Sequence, residues 1–265
     1  MKKTFCDQQV AVFDDVLSPE QFREVREHFR RIDYQSVSAT RLQDTWRLTD
    51  GQPWIGSPAT IYSPLSPELL LPPGVSVEAI GLSVYPTKSP MDHVIDAMKE
   101  CLPEVEHLIG RPGEDWLVST ATPYLYPSGT SISWHADAWA YSGAVLYYVH
   151  PEWNVLWGGE LLIAGEEVRA KHRARRKGPS VSHSFDNRQD NEELYDVGIG
   201  QYIMPRPNRM VFIAEYCVHG TTKVTPAAGQ NVRMSISGFF VKQEGIAVSL
   251  GEYLKDAGLK GQVAK

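Results

Sequence analysis

From Trp116 onward the apolar positions of this chain fall into short runs: WLVSTATPYLY, SISWHAD, AVLYYV, ELLIA, RMVFIAEY and VRMSISGFF. β-Branched and aromatic residues fill the runs, and Gly, Pro, Ser and Asn separate them, which is the pattern of strands joined by turns. It predicts an antiparallel barrel or sandwich. Upstream, VAVFDDVLSPEQFREVREHFRRI predicts a short strand and then a helix, with Ser18 as N-cap, Pro19 at the first helical position and Gln21 completing a capping box. The same signals recur at Ser89-Pro90-Met91-Asp92, opening a helix expected to reach about Cys101.

Between these helices, residues 34 to 88 carry many Ser, Pro and Thr and read as loops and irregular strands. Residues 165 to 208 interrupt the strand pattern: the basic run RAKHRARRKG is followed by DNRQDNEELYD. Loops of such length inside a compact domain are lids, binding loops or disordered. SLGEYLKDAG predicts one short helix capped by Ser249. The chain is therefore expected to be one domain over 1–265. A helical and irregular support region (1–114) leads into a β core (115–241) carrying the inserted loop 165–208, and a C-terminal helix lies within 242–265.

A length of 265 residues with 42% hydrophobic content is ample for a core of this kind. The formal net charge of −6 argues against a nucleic-acid partner, because proteins that live on phosphate contacts are basic. The sequence has neither a signal-peptide apolar run nor the roughly 18 uninterrupted apolar residues of a membrane span, so a soluble, cytoplasmic protein with no membrane partner is expected. Cys6, Cys101 and Cys217 are widely spaced and form no CxxC, which indicates neither a disulfide framework nor a thiolate zinc site.

The chemistry starts at SWHADAW, residues 133–139. In an extended strand Ser133, His135 and Asp137 share one face and Trp134 and Ala136 the other. A carboxylate between tryptophans needs a partner. An imidazole and a carboxylate side by side supply two adjacent metal ligands, and one distant histidine completes the two-His-one-carboxylate triad of nonhaem iron(II). His219, ending the apolar run RMVFIAEYCVHG, is the candidate. Arg233 follows on a later strand with Ser235 and Ser237 on its own face. A buried guanidinium calls for an anion, and its planar fork suits a carboxylate. The implied anion is a dicarboxylate. A cupin-like isomerase or hydrolase would use a similar barrel but has no need of Arg233, and a silent binding barrel has no reason to keep all four residues.

HAD, LYYVHPEWNVLWGGELLI, PRPNRMVFIAEYCVHG and VRMSISGFF, in this order over roughly residues 115–241, resemble the iron(II)/2-oxoglutarate-dependent dioxygenases, in particular their prolyl-4-hydroxylase-like branch. The resemblance implies a double-stranded β-helix, a jelly-roll barrel of the cupin type buttressed by the N-terminal helices. It implies iron held by His135, Asp137 and His219, 2-oxoglutarate held through its C5 carboxylate by Arg233 with Ser235 two residues on, and O2 as the second co-substrate, with ascorbate a candidate reductant. Tyr126 and Tyr148 match the family's inward tyrosines, with Tyr124 and Tyr147 as the neighbouring alternatives. Trp157-Gly158-Gly159 resembles the family's turn into the next strand, a matter of backbone geometry.

Departures narrow the activity. The collagen-type enzymes use lysine where Arg233 stands. Radical halogenases lack the metal carboxylate, and Asp137 is present. Nucleic-acid demethylases carry a second arginine six residues after the first, and position 239 is Phe. The expectation is hydroxylation of an unactivated C–H bond, with release of succinate and CO2, on a small-molecule partner such as a free amino acid or natural-product intermediate. A peptidyl, prolyl-type substrate is the alternative. The basic run at 166–177 reads either as a solvated surface or as a mouth for an acidic substrate.

Overall fold

The computed structural model describes residues 1–39, 48–65, 80–175 and 188–246, with the side chains of Leu48 and of 188–191 outside that description. The expected C-terminal helix falls almost wholly on 247–265, outside the described residues. Strands β1 (Lys2–Cys6) and β2 (Val10–Asp14) form a hairpin and lead into α1 (Pro19–Phe29). The predicted capping box is present: Ser18 Oγ accepts from the Gln21 amide at 3.2 Å, and Gln21 Oε1 accepts from the Ser18 amide at 3.1 Å. The irregular segment that follows supplies four short strands, β3 (Asp33–Ser36), β4 (Trp54–Ser57), β5 (Ala59–Tyr62) and β6 (Leu82–Val84).

The second helix, α2 (Met91–Ile109), runs past the expected stop at Cys101 and contains Pro103. Pro103 removes one helical donor, but the turns beyond it bury Val105, Leu108 and Ile109, and that apolar burial carries the helix through. At its start Ser89 Oγ accepts from the Met91 amide at 3.3 Å, while the Asp92 carboxylate accepts from the amides of Thr87 at 2.9 Å and Lys88 at 2.7 Å.

The core strands are β7 (Val118–Tyr126), β8 (Ile132–Ala136), β9 (Tyr141–Tyr148), β10 (Leu161–Ala164), β11 (Gly200–Ile203), β12 (Met210–Ala214), β13 (Val218–Thr221) and β14 (Arg233–Val241). They make two sheets. The larger runs β1-β2-β12-β9-β14-β7-β4-β3, with β5 and β6 branching from β7, and the smaller runs β11-β10-β13-β8. The expected class holds, mostly β with flanking helices, but the two sheets are not joined by hydrogen bonding into a closed barrel. Apolar packing holds them instead: Leu161 and Ile163 of β10 share one buried cluster with Tyr147 and Tyr148 of β9.

The same cluster extends through the larger sheet to α2. Gly143 of β9 makes that approach close, since a Cβ there would lie 2.8 Å from Ile109 Cγ2. β9 is thus covered on both faces, and β12 is buried at every residue. The hairpin flank is locked by Asp14, whose carboxylate accepts from Arg209 Nε at 2.7 Å and from Thr4 Oγ1 at 2.7 Å.

The described part of 165–208 is not a loop. It forms α3 (Glu166–Arg175), α4 (Arg188–Val197) and β11. Acidic residues open α3 and basic residues close it, in the sense that favours a helix dipole. Both helices contribute to a cluster with Val218, Trp134 and Ala136, so the insertion packs on the face of β8 opposite His135.

Candidate active site

β8 and β13 are antiparallel neighbours in which His135 and His219 are direct cross-strand partners. The ladder shifts register beyond His219, at Gly220, where a Cβ would lie 3.0 Å from the Ile132 carbonyl oxygen. Asp137 stands just past the end of β8. His135 Nε2 is 3.8 Å from Asp137 Oδ1, and His219 Nε2 is 3.9 Å from Asp137 Oδ2. One potential ligand atom from each of the three lies within 4.8 Å of the other two, and this is the sole metal-competent cluster of its kind among the described residues. The structure brings His135, Asp137 and His219 together.

Each imidazole is oriented by its own strand. His135 Nδ1 contacts the Ser133 carbonyl at 2.8 Å, and His219 Nδ1 contacts the Cys217 carbonyl at 3.0 Å. A carbonyl only accepts, so both Nδ1 atoms carry a proton and both Nε2 atoms face the gap beside Asp137. Burial, and then the neighbouring His219 ring, push the His135 imidazole down to about 4. It is therefore neutral at pH 7, which is the form a metal requires.

The second half of the site lies on the larger sheet. Arg233 pairs with Tyr126 across the β14–β7 ladder, and Ser235 pairs with Tyr148 across the β14–β9 ladder. The Arg233 guanidinium is wholly buried, with its carbon 4.7 Å from the Tyr126 ring centroid and 5.1 Å from that of Tyr148. Nε, Nη1 and Nη2 of Arg233, Tyr148 Oη and Ser235 Oγ are all buried without a hydrogen-bond partner. Five unsatisfied polar atoms on adjacent strands suit one carboxylate, since orphaned buried donors of this kind are costly. Burial raises the Tyr126 phenol, against the pull of the Arg233 charge, so it stays protonated. Tyr124 stacks on Tyr126 with centroids 6.0 Å apart, whereas Tyr147 donates to Asn208 Oδ1 at 2.7 Å, away from Arg233.

Gly158 and Gly159 both have positive φ, 73° and 77°. A Cβ on Gly159 would lie 2.8 Å from Arg233 Cδ, so this glycine makes room for the arginine stem. Two other cations of the β core are engaged elsewhere: Lys223 Nζ donates to the Thr49 carbonyl at 2.9 Å, and Arg209 pairs with Asp14.

Two residues near the site carry no sequence signal. His150 is buried, with Nε2 donating to the Pro205 carbonyl at 2.5 Å and Nδ1 accepting from the Met234 amide at 3.3 Å, beside Arg233 in sequence. Burial pushes its imidazole down to about 4. Asp50, 2% exposed, accepts from Ser133 Oγ at 2.8 Å and Ser131 Oγ at 3.1 Å. The basic residues of α3 have partners within the insertion or beside it: Arg169 with Glu166, Lys171 with Glu167, Arg175 with Glu193, and Arg173 over the Tyr216 ring. No described helix is long and apolar enough to cross a membrane.

Residues 121–241 match the family model of the 2OG-Fe(II) oxygenase superfamily. No curated protein matches the sequence. Among solved structures the chain is similar to a prolyl-4-hydroxylase of Pseudomonas putida, at 13% identity, TM-score 0.50, and 88% of this chain against 93% of that one. It is also similar to a prolyl hydroxylase of Trichoplax adhaerens in complex with a hypoxia inducible factor peptide fragment, at 13% identity, TM-score 0.55 and coverage of 91% and 87%. A third is HygX of Streptomyces hygroscopicus with nickel and 2-oxoglutarate bound, at 12% identity, TM-score 0.50 and coverage of 89% and 83%. At such identities the likeness is one of fold. Together with the family match over residues 121–241, this likeness supports a 2-oxoglutarate-dependent dioxygenase of the 2OG-Fe(II) oxygenase type.

Proposed function

We propose that residues 1–265 form one catalytic domain that hydroxylates an unactivated C–H bond of a small molecule, a free amino acid or a natural-product intermediate. The observation that carries the oxygenase reading is the pairing of a His-Asp-His cluster on one sheet with an unpaired buried arginine on the other. In this reading His135, Asp137 and His219 hold Fe(II). Arg233 takes the C5 carboxylate of 2-oxoglutarate bidentately, with Tyr148 and Ser235 donating to the same group and the Tyr126 ring closing its side. Bound iron, with 2-oxoglutarate and O2, supplies the oxidising power that turns C–H into C–OH while succinate and CO2 leave.

The protein's own part is positional. His135, Asp137 and His219 would hold the metal from the smaller sheet, the apolar packing between the sheets excludes water, and the buried guanidinium would fix the far end of the co-substrate. No residue of the site speaks for ascorbate.

A small substrate is favoured because the N-terminal strands are spent on extending the larger sheet. β2 pairs with β12, and β4 and β5 pair with β7, leaving no separate peptide-binding unit among the described residues. A cytoplasmic location is part of the same proposal. The test is anaerobic loading with Fe(II) and 2-oxoglutarate, then O2, against a panel of amino acids, small metabolites and proline-containing peptides. Succinate release coupled to a mass gain of one oxygen on a small molecule is expected. Gain on peptides alone establishes the prolyl-type alternative, and a protein that neither binds nor decarboxylates 2-oxoglutarate overturns the reading.

A further inference from the structure

Ser133 is held from two sides. Its carbonyl accepts from His135 Nδ1 at 2.8 Å, and its hydroxyl donates to Asp50 Oδ1 at 2.8 Å. Asp50 comes from a 3-10 turn, Leu48–Asp50, that belongs to the N-terminal region rather than to the β core. The turn is fastened at three further points to Ser131 and Lys223, which flank β8 and β13. The Ser131 amide donates to the Asp50 carbonyl at 3.0 Å, Ser131 Oγ donates to Asp50 Oδ1 at 3.1 Å, and Lys223 Nζ donates to the Thr49 carbonyl at 2.9 Å. A buried carboxylate is an expensive addition, and its side chain converges on the hydroxyl of the residue whose carbonyl orients a metal ligand.

We infer that Asp50 is a positioning residue for the metal centre, acting through Ser133 on His135. The carboxylate fixes Ser133, the Ser133 carbonyl fixes the proton and the ring plane of His135, and Nε2 is thereby aimed at the gap it shares with Asp137 and His219. Groups that orient metal-bound histidines in this way set the affinity of the site. The two histidines differ in this respect. The residue behind His219 is Cys217, whose sulfur meets Gln9 at 3.8 to 3.9 Å and no carboxylate. The inference rests on the reading of His135, Asp137 and His219 as the iron site.

The experiment is calorimetric titration of the full-length, metal-free protein with Mn(II), without 2-oxoglutarate, alongside thermal unfolding of the same samples. Asp50→Ala and Ser133→Ala should each weaken Mn(II) binding about 10- to 100-fold, and the double variant should be no weaker than the worse single one. Ser131→Ala, which touches Asp50 but does not reach His135, should stay within about threefold, and Asp50→Asn, which keeps the accepting oxygen, should do the same. If Asp50→Ala and Ser133→Ala both bind Mn(II) as wild type does while His219→Ala does not bind, the metal site stands and the role of Asp50 is overturned. If Ser131→Ala loses as much as Ser133→Ala, Asp50 is only a fastening of the turn, and the inference is overturned again. A wild-type protein that binds no Mn(II) removes the iron-site reading and this inference together. Should Asp50→Ala fail to fold, Ser133→Ala alone decides.

Discussion

Arg233 and Tyr126 face one another across the β14–β7 ladder, with the guanidinium carbon 4.7 Å from the phenol centroid and no carboxylate among the described residues paired to the cation. An aromatic face steadies a buried cation but does not replace a counter-ion, and uncompensated burial of charge costs several kcal/mol. The strand positions therefore keep an unfavourable group in place, which is the signature of a group kept for binding.

Replacing Arg233 by Met should accordingly leave the protein without 2-oxoglutarate at least as stable as wild type, while abolishing the stabilisation that 2-oxoglutarate gives. For wild type that stabilisation should reach about 2.7 kcal/mol at one hundred times Kd. Arg233→Lys should raise the KM for 2-oxoglutarate at least about tenfold, because a point charge cannot reproduce a planar fork. Thermal melts with and without 2-oxoglutarate check the first, and steady-state kinetics the second. Persisting stabilisation in Arg233→Met would move the anchor elsewhere.

Gly159→Ala should act on the same group from behind. Its Cβ would press on Arg233 Cδ at 2.8 Å, and the φ of 77° adds strain on the order of 1–2 kcal/mol. The expected outcome is a lower Tm together with a KM for 2-oxoglutarate raised more than that for the primary substrate. An equal rise in both would point to general loosening.

Removing one metal ligand should be felt in binding before activity is assayed. Asp137→Ala and His219→Ala should each lower Mn(II) affinity by more than about 100-fold, beyond what a supporting group costs. EDTA should lower the Tm of the iron-loaded wild type and leave that of both variants unchanged. Asp137→Ala should also give no hydroxylated product.

His150 predicts how stability falls in mild acid. Its imidazole sits near 4 when folded, because of burial, against an ordinary value of 6.5. The unfolded chain therefore binds the proton first. Stability is full above pH 6.5, declines as pH falls from 6.5 to 4, and levels off below, a loss on the order of 3 kcal/mol for this group. Urea unfolding at pH 7.5, 6 and 5 should show the decline, and His150→Gln should flatten part of it at the expense of stability at pH 7.5. An unchanged slope would assign the acid sensitivity to other groups, His135 among them.

Neutralising the basic face of α3 should leave catalysis alone. Arg173 lies over Tyr216 and Arg175 is paired with Glu193, on an insertion that packs behind β8. Arg173→Gln with Arg175→Gln should keep the substrate KM within about twofold, as exposed and partly exposed ion pairs contribute little. A large KM increase would restore the anion-recognition reading of that run.

What the sequence revealed was whatever a short range encodes. The alternation in SWHADAW placed His135 and Asp137 on one side and Trp134 on the other, and both sides proved to be used. The capping box at Ser18 and Gln21 is a four-residue statement, and it held. Long-range relations were less visible. Asp50 lies 83 residues before Ser133, with no pattern linking them, and His150 looks like the end of a strand run. α3 and α4 were hidden because their charged surfaces drown the few apolar positions, such as Val168, Leu194 and Val197, that dock them. Pro103 concealed the length of α2, since a proline argues for a stop unless buried contacts beyond it outweigh the lost hydrogen bond.

The cross-strand pairing of His135 with His219 has one more implication. Side chains alternate along a strand, so sliding β8 by a single residue against β13 would turn His135 toward the insertion helices and bring Trp134 or Ala136 into the gap. No partial version of the cluster survives such a slip. On the proposed iron reading, metal capture would work as a proofreading step on the fold: only chains whose two strands have docked in the right frame would acquire the ion, and it would then hold them in that frame.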